Sequence, residues 1–174
     1  MNNIVFSEKD CTYVRSFWDN NLSISGEEYT VSKKGDDTLV VRHDAKGGCI
    51  NYSNDSLLKF VLNRVHDYGI TSISLNSVKL MKYSAGDYFA PHRDYVKYDK
   101  GTVYTTAIIQ LSKDSEYEGG TLIVNNNPQT RTQGSLILFN SGELHEVTKL
   151  TRGERYALVL FLFKEDLNLP KTLL

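Results

Sequence analysis

Beyond about residue 70, short runs rich in Val, Ile, Thr, Leu and Tyr alternate with clusters of Gly, Asn, Asp and Pro. The runs have the composition of β-strands, and the clusters have the composition of turns. Short strands repeated at intervals of roughly ten residues predict an all-β sandwich or barrel. The candidate strands lie near residues 72–83, 88–92, 102–111, 121–125, 135–139, 145–149 and 155–163.

The first 70 residues differ because they contain two segments with helical periodicity. Ser7 and Asp10 resemble an N-terminal cap, and apolar residues then recur at helical spacing, which predicts a helix over about residues 8–20. Residues 54–56 resemble the N-terminal cap of a second helix and precede another apolar stripe. Gly69 is expected to end this helix. The stripe of this second helix consists of Leu57, Leu58, Val61, Leu62 and Val65.

The order of these segments predicts a single domain over residues 1–174. Residues 1–70 are expected to form a helical support with loops and one short strand, near residues 38–42. Residues 71–165 are expected to form the core. The predicted fold class is therefore mostly β with flanking helices: a double-stranded β-helix, or jelly roll, supported by N-terminal helices.

Composition indicates which binding partners and which redox compartment suit the protein. The chain is 40% hydrophobic, which suits one compact domain, and its formal charge of -1 shows no basic excess of the kind that marks nucleic-acid binders. The two cysteines, Cys11 and Cys49, form no Cys-x-x-Cys pair and fit a reducing compartment. The sequence shows no secretory or membrane-length apolar run. We therefore expect a cytoplasmic monomer or weak dimer without nucleic-acid or membrane partners.

The candidate metal ligands are His92, Asp94 and His145. Two imidazoles and one carboxylate can hold one face of an octahedral iron(II) and leave three positions open. A His-x-Asp doublet alone is weak, because it can equally be a solvated hydrogen-bonded pair. Its context favours metal binding: the doublet ends one predicted strand and His145 begins another, and the two strands can be neighbours in a sandwich.

Arg155 is the candidate anion-binding residue. Its position in the charged segment 149–155 is also compatible with a solvated surface residue. If Arg155 faces inward, Ala157, Val159 and Phe161 do so too, which gives a cationic end to an apolar wall. A guanidinium so placed can bind a carboxylate with a short aliphatic body. The strand is apolar on both faces, so periodicity alone leaves the direction open.

The two remaining histidines are expected to be structural or surface residues. His43 lies in a charged loop, and His66 follows the apolar stripe of the second helix. Neither is predicted to bind metal.

The chain resembles the 2-oxoglutarate and iron(II)-dependent dioxygenases, in particular the prolyl-4-hydroxylase-like group. The matching runs, in order, are YSAGDYFAPHRD (83–94), TAIIQLS (106–112), EGGTL (118–122), LHEV (144–147) and RGERYA (152–157). Their order and spacing make the match more specific than any single motif.

By this resemblance, His92, Asp94 and His145 are the catalytic iron ligands, and Arg155 pairs with the distal carboxylate of 2-oxoglutarate. The resemblance also implies O2 as cosubstrate and ascorbate as an accessory reductant. The other residues that it assigns to the cosubstrate pocket or the metal surroundings are Tyr83, Thr106, Ile108, Leu122 and Val147.

Three positions differ within this family. Relatives of the animal oxygen-sensing type have a tyrosine that contacts 2-oxoglutarate where Gln110 stands, and a tryptophan where Phe161 stands. Some collagen-type relatives have lysine in place of Arg155. These differences leave the subgroup of the chain open.

The implied reaction hydroxylates an unactivated C–H bond, with release of succinate and CO2. The expected substrate is a prolyl residue in a peptide or protein, held over the loops near residues 33–47 and 95–104. A free amino acid or another small molecule remains an alternative substrate. An AlkB-type nucleic-acid dealkylase is an alternative enzyme, and a non-catalytic cupin-like barrel that binds a small ligand is an alternative of another class.

Overall fold

The structure, a computed structural model, describes residues 3–19, 30–34, 38–41, 45–52, 55–74, 77–94, 97–98 and 101–168. The helices in these ranges are α1 (Glu8–Asp19) and α2 (Asp55–Val65), with short 3-10 helices at His66–Tyr68, Asp114–Glu116 and Lys164–Asp166. The strands are β1 (Thr30–Lys34), β2 (Thr38–Val41), β3 (Ala45–Lys46), β4 (Gly48–Tyr52), β5 (Val78–Ser84), β6 (Tyr88–His92), β7 (Lys97–Tyr98), β8 (Gly101–Thr102), β9 (Thr105–Gln110), β10 (Tyr117–Gly119), β11 (Leu122–Val124), β12 (Asn127–Pro128), β13 (Leu136–Asn140), β14 (His145–Val147) and β15 (Leu150–Leu162).

Both predicted helices are confirmed, and the start of α1 and the end of the segment after α2 have the expected chemistry; the cap predicted for α2 at residues 54–56 lies partly outside the described residues. At the start of α1, the Asp10 amide donates to Ser7 Oγ, and the Ser7 amide donates to Asp10 Oδ2. This reciprocal cap satisfies backbone donors that have no partner within the helix. After α2, the chain leaves its 3-10 extension at Gly69, whose φ of 84° is left-handed. Among the described residues, no helix is long and apolar enough to cross a membrane.

Two antiparallel sheets form the centre of the fold. The larger sheet has the strand order β13-β9-β15-β5-β4, and β10 also pairs with β15. The smaller sheet has the order β12-β11-β14-β6-β3. Two separate hairpins are formed by β1 with β2 and by β7 with β8. The predicted fold class, a mostly β jelly roll with flanking helices, is confirmed.

The larger sheet has an apolar core on each side. On its outer face, residues of both helices pack against the sheet, and between the two sheets a second core encloses the site residues. Outer-core residues include Val14, Leu57, Val61, Leu80, Ile109, Leu158 and Leu160. Inner-core residues include Met81, Tyr83, Ile108, Leu122, Val147 and Ala157. Strand β15 contributes to both cores because its successive side chains alternate between faces.

The sequence underestimates the strands of residues 21–52, for which it predicts one short strand. The structure places β1 to β4 there, and β4 extends the larger sheet by pairing with β5, from Gly48 opposite Lys82 to Tyr52 opposite Val78. The segment contains several glycines and lacks a strong apolar alternation, so its strands form because a partner edge is available. Local sequence could not reveal that partner.

Two predicted strand boundaries are also wrong. The strand predicted to start near residue 72 starts at Val78, and the one predicted to start at residue 155 starts at Leu150. Arg152 and Gly153 therefore lie within β15 and pair with β10. The side chain of Arg152 is exposed. The additional pairing with β10 explains why β15 continues past the glycine.

Candidate active site

The three predicted metal ligands lie where two strands of the smaller sheet meet. His92 is the last residue of β6, His145 is the first of β14, and the two are direct cross-strand partners. Asp94 follows His92 by two residues. All three side chains are buried, and one ligand atom of each lies within 4.8 Å of the others. Strand pairing therefore brings distant residues to one point.

Each imidazole is held by a backbone carbonyl. His92 Nδ1 lies 2.8 Å from the Ala90 carbonyl oxygen, and His145 Nδ1 lies 2.9 Å from that of Glu143. Because a carbonyl only accepts, Nδ1 carries the proton in both rings, and Nε2 is the atom suited to a metal. The two Nε2 atoms lie 3.6 and 3.2 Å from Asp94 carboxylate oxygens.

Two tight turns fix the ends of these strands. In the first, the Ser84 amide donates to Asp87 Oδ2. In the second, the Asn140 amide donates to Glu143 Oε2, and the Ser141 carbonyl accepts from the Asp94 amide. Side chains that bond to nearby backbone groups are typical of such turns. The second turn therefore positions both His145 and Asp94.

The Asp94 carboxylate is held in its charged form. Burial alone would raise the pKa of this carboxyl, but the hydrogen bond and charge of His145, the charge of His92 and a hydrogen bond from Thr106 together lower it. Thr106 Oγ1 donates to Asp94 Oδ2 at 2.7 Å. A buried anion positioned by a hydroxyl and two imidazoles is a suitable ligand for a divalent cation.

Aromatic rings enclose the histidines. Phe89 stacks on His92 with ring centroids 3.6 Å apart, and Phe139 lies 4.7 Å from His145. In a regular strand, residues 89 and 92 would face opposite sides, but the register of β6 against β14 shifts by one residue between them. The shift places both rings on one face. Neither phenylalanine is predicted at the site from the sequence, and strand alternation predicts the wrong face for Phe89.

Arg155 lies in the inner core, directly across from Tyr83 in the pairing of β15 with β5. It is 1% exposed, and its Nη2 donates to Gln110 Oε1 at 2.9 Å. Among the described residues it forms no ion pair, and its buried Nε has no hydrogen-bond acceptor. An enclosed cation without a counter-ion is costly, so Arg155 is suited to bind an anion.

Tyr83 places an aromatic ring beside Arg155. Its ring centroid lies 5.5 Å from Arg155 Cζ, within the range of a cation–π contact. Burial raises the pKa of the Tyr83 phenol, so the hydroxyl remains protonated and can donate to a carboxylate.

The other residues assigned by resemblance lie in the same interior. Thr106 bonds to Asp94, and Ile108, two residues further along β9, belongs to the inner core. Leu122 and Val147 are cross-strand partners in the smaller sheet, and both are buried in that core. The structure thus brings every predicted site residue into the space between the two sheets.

Of the two remaining histidines, one lies away from the site and the other lies outside the described residues. Both expected substrate loops lie partly outside them. His66 is exposed in the 3-10 helix after α2, in keeping with the expected surface role. His43 lies outside the described residues. So do parts of the two loops expected to hold substrate, namely residues 35–37, 42–44, 95–96 and 99–100.

The donor set fits iron(II). Two imidazoles and one carboxylate are the ligands of the facial triad found in non-haem iron(II) oxygenases, whereas a structural zinc site normally uses four protein ligands. The buried cation of Arg155 in the same interior adds a site for the acidic end of a cosubstrate. Together these features would serve an oxygenase that uses an organic acid.

Comparisons with known proteins agree with this chemistry. Residues 78–163 match the family described as the 2OG-Fe(II) oxygenase superfamily. A PKHD-type hydroxylase of Parvibaculum lavamentivorans is 35% identical over 86 residues, 47% of this chain and 39% of that protein. One of Shewanella oneidensis is 35% identical over 89 residues, 47% of this chain and 40% of that protein. The matched region thus spans about two fifths of the length of these relatives.

Solved structures share the fold over most of the chain. A Pseudomonas putida prolyl-4-hydroxylase has a TM-score of 0.56 at 17% identity, covering 90% of this chain and 87% of that one. A Trichoplax adhaerens prolyl hydroxylase, in complex with a peptide fragment of the hypoxia inducible factor oxygen degradation domain, has a TM-score of 0.59 at 18% identity, covering 95% and 82%. With its sequence match, its jelly-roll fold and its His-Asp-His site, the chain belongs to the 2OG-Fe(II) oxygenase superfamily.

Proposed function

We propose that the protein is a 2-oxoglutarate- and iron(II)-dependent dioxygenase that hydroxylates a prolyl residue in a peptide or protein. The observation that carries this proposal is the pairing of two features in one interior. A buried His-Asp-His set can hold iron(II). The buried Arg155 guanidinium, which has no ion-pair partner among the described residues, can bind an anion. 2-Oxoglutarate has a chelating end for the first feature and a carboxylate for the second.

The protein's own groups bind and orient the reactants. His92, Asp94 and His145 would hold iron(II), and Arg155 would pair with the distal carboxylate, with Tyr83 beside it. Iron(II) and 2-oxoglutarate supply the oxygen activation and C–H oxidation when bound. One oxygen atom of O2 enters the substrate as hydroxyl and the other enters succinate, while CO2 leaves from 2-oxoglutarate. The apolar inner core excludes bulk water from this space.

Its relatives support a prolyl substrate. The matched curated proteins are named PKHD-type hydroxylases, and solved neighbours are prolyl hydroxylases, one of them with a bound peptide. We infer that a peptide lies over the loops near residues 33–47 and 95–104, where hairpins β1–β2 and β7–β8 occur. Loops and hairpins that connect the strands of a rigid core are suited to contact an extended chain.

The test is a screen for the gain of one oxygen by mass spectrometry, with iron(II), 2-oxoglutarate and ascorbate. The substrates are prolyl peptides, free amino acids and methylated oligonucleotides. The proposal expects hydroxylated prolyl peptide and an equal amount of succinate. If only a free amino acid gains oxygen, the substrate is a free amino acid and not a prolyl peptide. Demethylation of an oligonucleotide would indicate a nucleic-acid dealkylase. Binding of 2-oxoglutarate without turnover of any substrate would favour a non-catalytic barrel.

Variants connect this turnover to the site. His92→Ala, Asp94→Ala and His145→Ala should each abolish succinate formation, because two remaining ligands hold the metal poorly. His66→Ala is the matched control, since His66 is exposed and lies outside the site. Substantial turnover by any of the three alanine variants would contradict the assignment of the triad.

A further inference from the structure

The side chain of Gln110 links Arg155 to the backbone of a neighbouring loop. Gln110 is the last residue of β9 and is 1% exposed. Its Oε1 accepts from Arg155 Nη2 at 2.9 Å, and its Nε2 donates to the Thr130 carbonyl at 3.2 Å. Both ends of the amide are therefore engaged.

This arrangement allows only one orientation of the amide. A guanidinium only donates and a backbone carbonyl only accepts, so Oε1 must face Arg155 and Nε2 must face Thr130. The backbone of Gln110 is also fixed, because its amide donates to the Ser135 carbonyl and its carbonyl accepts from the Gly134 amide. The acceptor offered to Arg155 is thus held on a rigid strand end.

The charge of the acceptor matters as much as its position. A neutral amide orients the guanidinium without neutralising it, and the described residues provide no carboxylate partner for Arg155. A glutamate at position 110 would also accept from Arg155, but it would place a permanent anion where the ligand's carboxylate is needed. Gln110 therefore preserves the full charge of Arg155 for the ligand.

We propose that Gln110 is a positioning residue that acts through Arg155 to make the site selective for a 2-oxo acid with a second, distal carboxylate. This inference rests on the proposed function. It differs from the role of the tyrosine that stands at this position in some relatives, because Gln110 acts here on the arginine and need not touch the cosubstrate.

The experiment compares two 2-oxo acids that differ at one end. 2-Oxoglutarate carries the distal carboxylate, and 2-oxopentanoate has the same chain length with a methyl group in its place. Binding of each is measured on the full chain by ligand-proton relaxation in NMR, with Mn²⁺ as a redox-inert substitute for iron(II). This readout does not depend on turnover. The variants are Gln110→Met, which removes both hydrogen bonds of the amide, and Gln110→Glu, which keeps an acceptor for Arg155, adds a charge and loses the donor to the Thr130 carbonyl.

Gln133 supplies the matched controls. Its Nε2 also donates to a backbone carbonyl, that of Leu111, at 2.8 Å, but its side chain does not bond to Arg155. Gln133→Met and Gln133→Glu repeat the same chemical changes one segment away. Because Gln133 is half-buried and Gln110 is buried, the Gln133 variants control for the chemical change and for the loss of a bond to a backbone carbonyl away from Arg155.

The selectivity for 2-oxoglutarate over 2-oxopentanoate decides the outcome. We expect the affinity for 2-oxoglutarate to fall about 10-fold in Gln110→Met and about 100-fold in Gln110→Glu. We expect 2-oxopentanoate binding to change less than about 2-fold, because the metal-chelating end is untouched. Equal losses for both acids, or wild-type 2-oxoglutarate binding by Gln110→Glu, would overturn the proposal. No binding of 2-oxoglutarate to the wild type with Mn²⁺ would instead refute the proposed function itself, and this inference with it.

Discussion

His92 and His145 are direct partners across β6 and β14, with ring centroids 4.2 Å apart, although 53 positions separate them in the sequence. Antiparallel pairing of two strands is sufficient to place residues that are distant in the sequence opposite each other. The register shift in β6 then turns Phe89 onto the same face as His92. The pairing of two short strands therefore brings together both histidines of the metal site and the Phe89 ring beside them.

Thr106 is expected to tune metal affinity through Asp94. Thr106→Val removes the 2.7 Å hydrogen bond to Asp94 Oδ2 and leaves a side chain of the same shape. Because such a partner orients a ligating carboxylate, we expect Mn²⁺ affinity to fall about 10-fold in a direct titration. Thr105→Val is the control, since its buried Oγ1 has no hydrogen-bond partner among the described residues. Equal affinities for the two variants would contradict this role.

We expect Arg155 to lower the stability of the ligand-free protein and to strengthen the binding of 2-oxoglutarate. Arg155→Met should raise the 2-oxoglutarate concentration for half-maximal turnover about 100-fold, because a two-point charged contact is lost. In the ligand-free protein, the same change removes a buried charge that has no ion-pair partner among the described residues. We therefore expect the midpoint of thermal unfolding not to fall. A large drop in that midpoint would indicate a structural role instead.

The sequence predicts the β-rich core and both helices, because these depend on local signals, whereas the roles of the cosubstrate-site residues come from the resemblance to a known family. Caps mark the helix starts, and runs rich in Val, Ile, Thr, Leu and Tyr between turn clusters mark the strands. The direction of Arg155 is ambiguous from the sequence, since β15 is apolar on both faces. The structure resolves it: Ala157, two residues on, lies in the inner core, and Tyr156 and Leu158 lie in the outer one.

What the sequence could not predict depends on partners far along the chain. Strand β4 exists because β5 offers an open edge. Gln110 looks like an ordinary polar residue in an apolar strand, and its role appears only when Arg155 of β15 and the Thr130 carbonyl lie on either side of it. No local pattern encodes such a contact between three segments.

Arg131 is expected to stabilise the segment before β11. Its Nη1 donates to the Gly119 carbonyl at 2.6 Å and its Nη2 to that of Tyr117 at 3.0 Å, while its guanidinium covers the Tyr117 ring. Arg131→Ala should lower the free energy of unfolding by about 2 kcal/mol in urea denaturation, because these carbonyls lose charged donors. Arg152 provides the control.

Arg152 makes an ion pair with Glu118 that leaves both side chains more than half exposed. Arg152→Ala should therefore change the free energy of unfolding by less than about 0.5 kcal/mol. If the two variants were equally destabilised, charge rather than the enclosed bonds of Arg131 would be responsible.

Gly134 is expected to be essential for anchoring the N-terminal segment. Its carbonyl accepts from the amides of Val5 and Phe6, and its φ is 79°. A Cβ at this position would overlap the Phe6 carbonyl oxygen, so Gly134→Ala combines backbone strain with a collision against backbone. Gly86 also has positive φ, at 97°, but a Cβ there meets open space. We expect Gly134→Ala to cost about 3 kcal/mol and Gly86→Ala about 1 kcal/mol in urea denaturation, and equal costs would mean that strain alone acts at both sites.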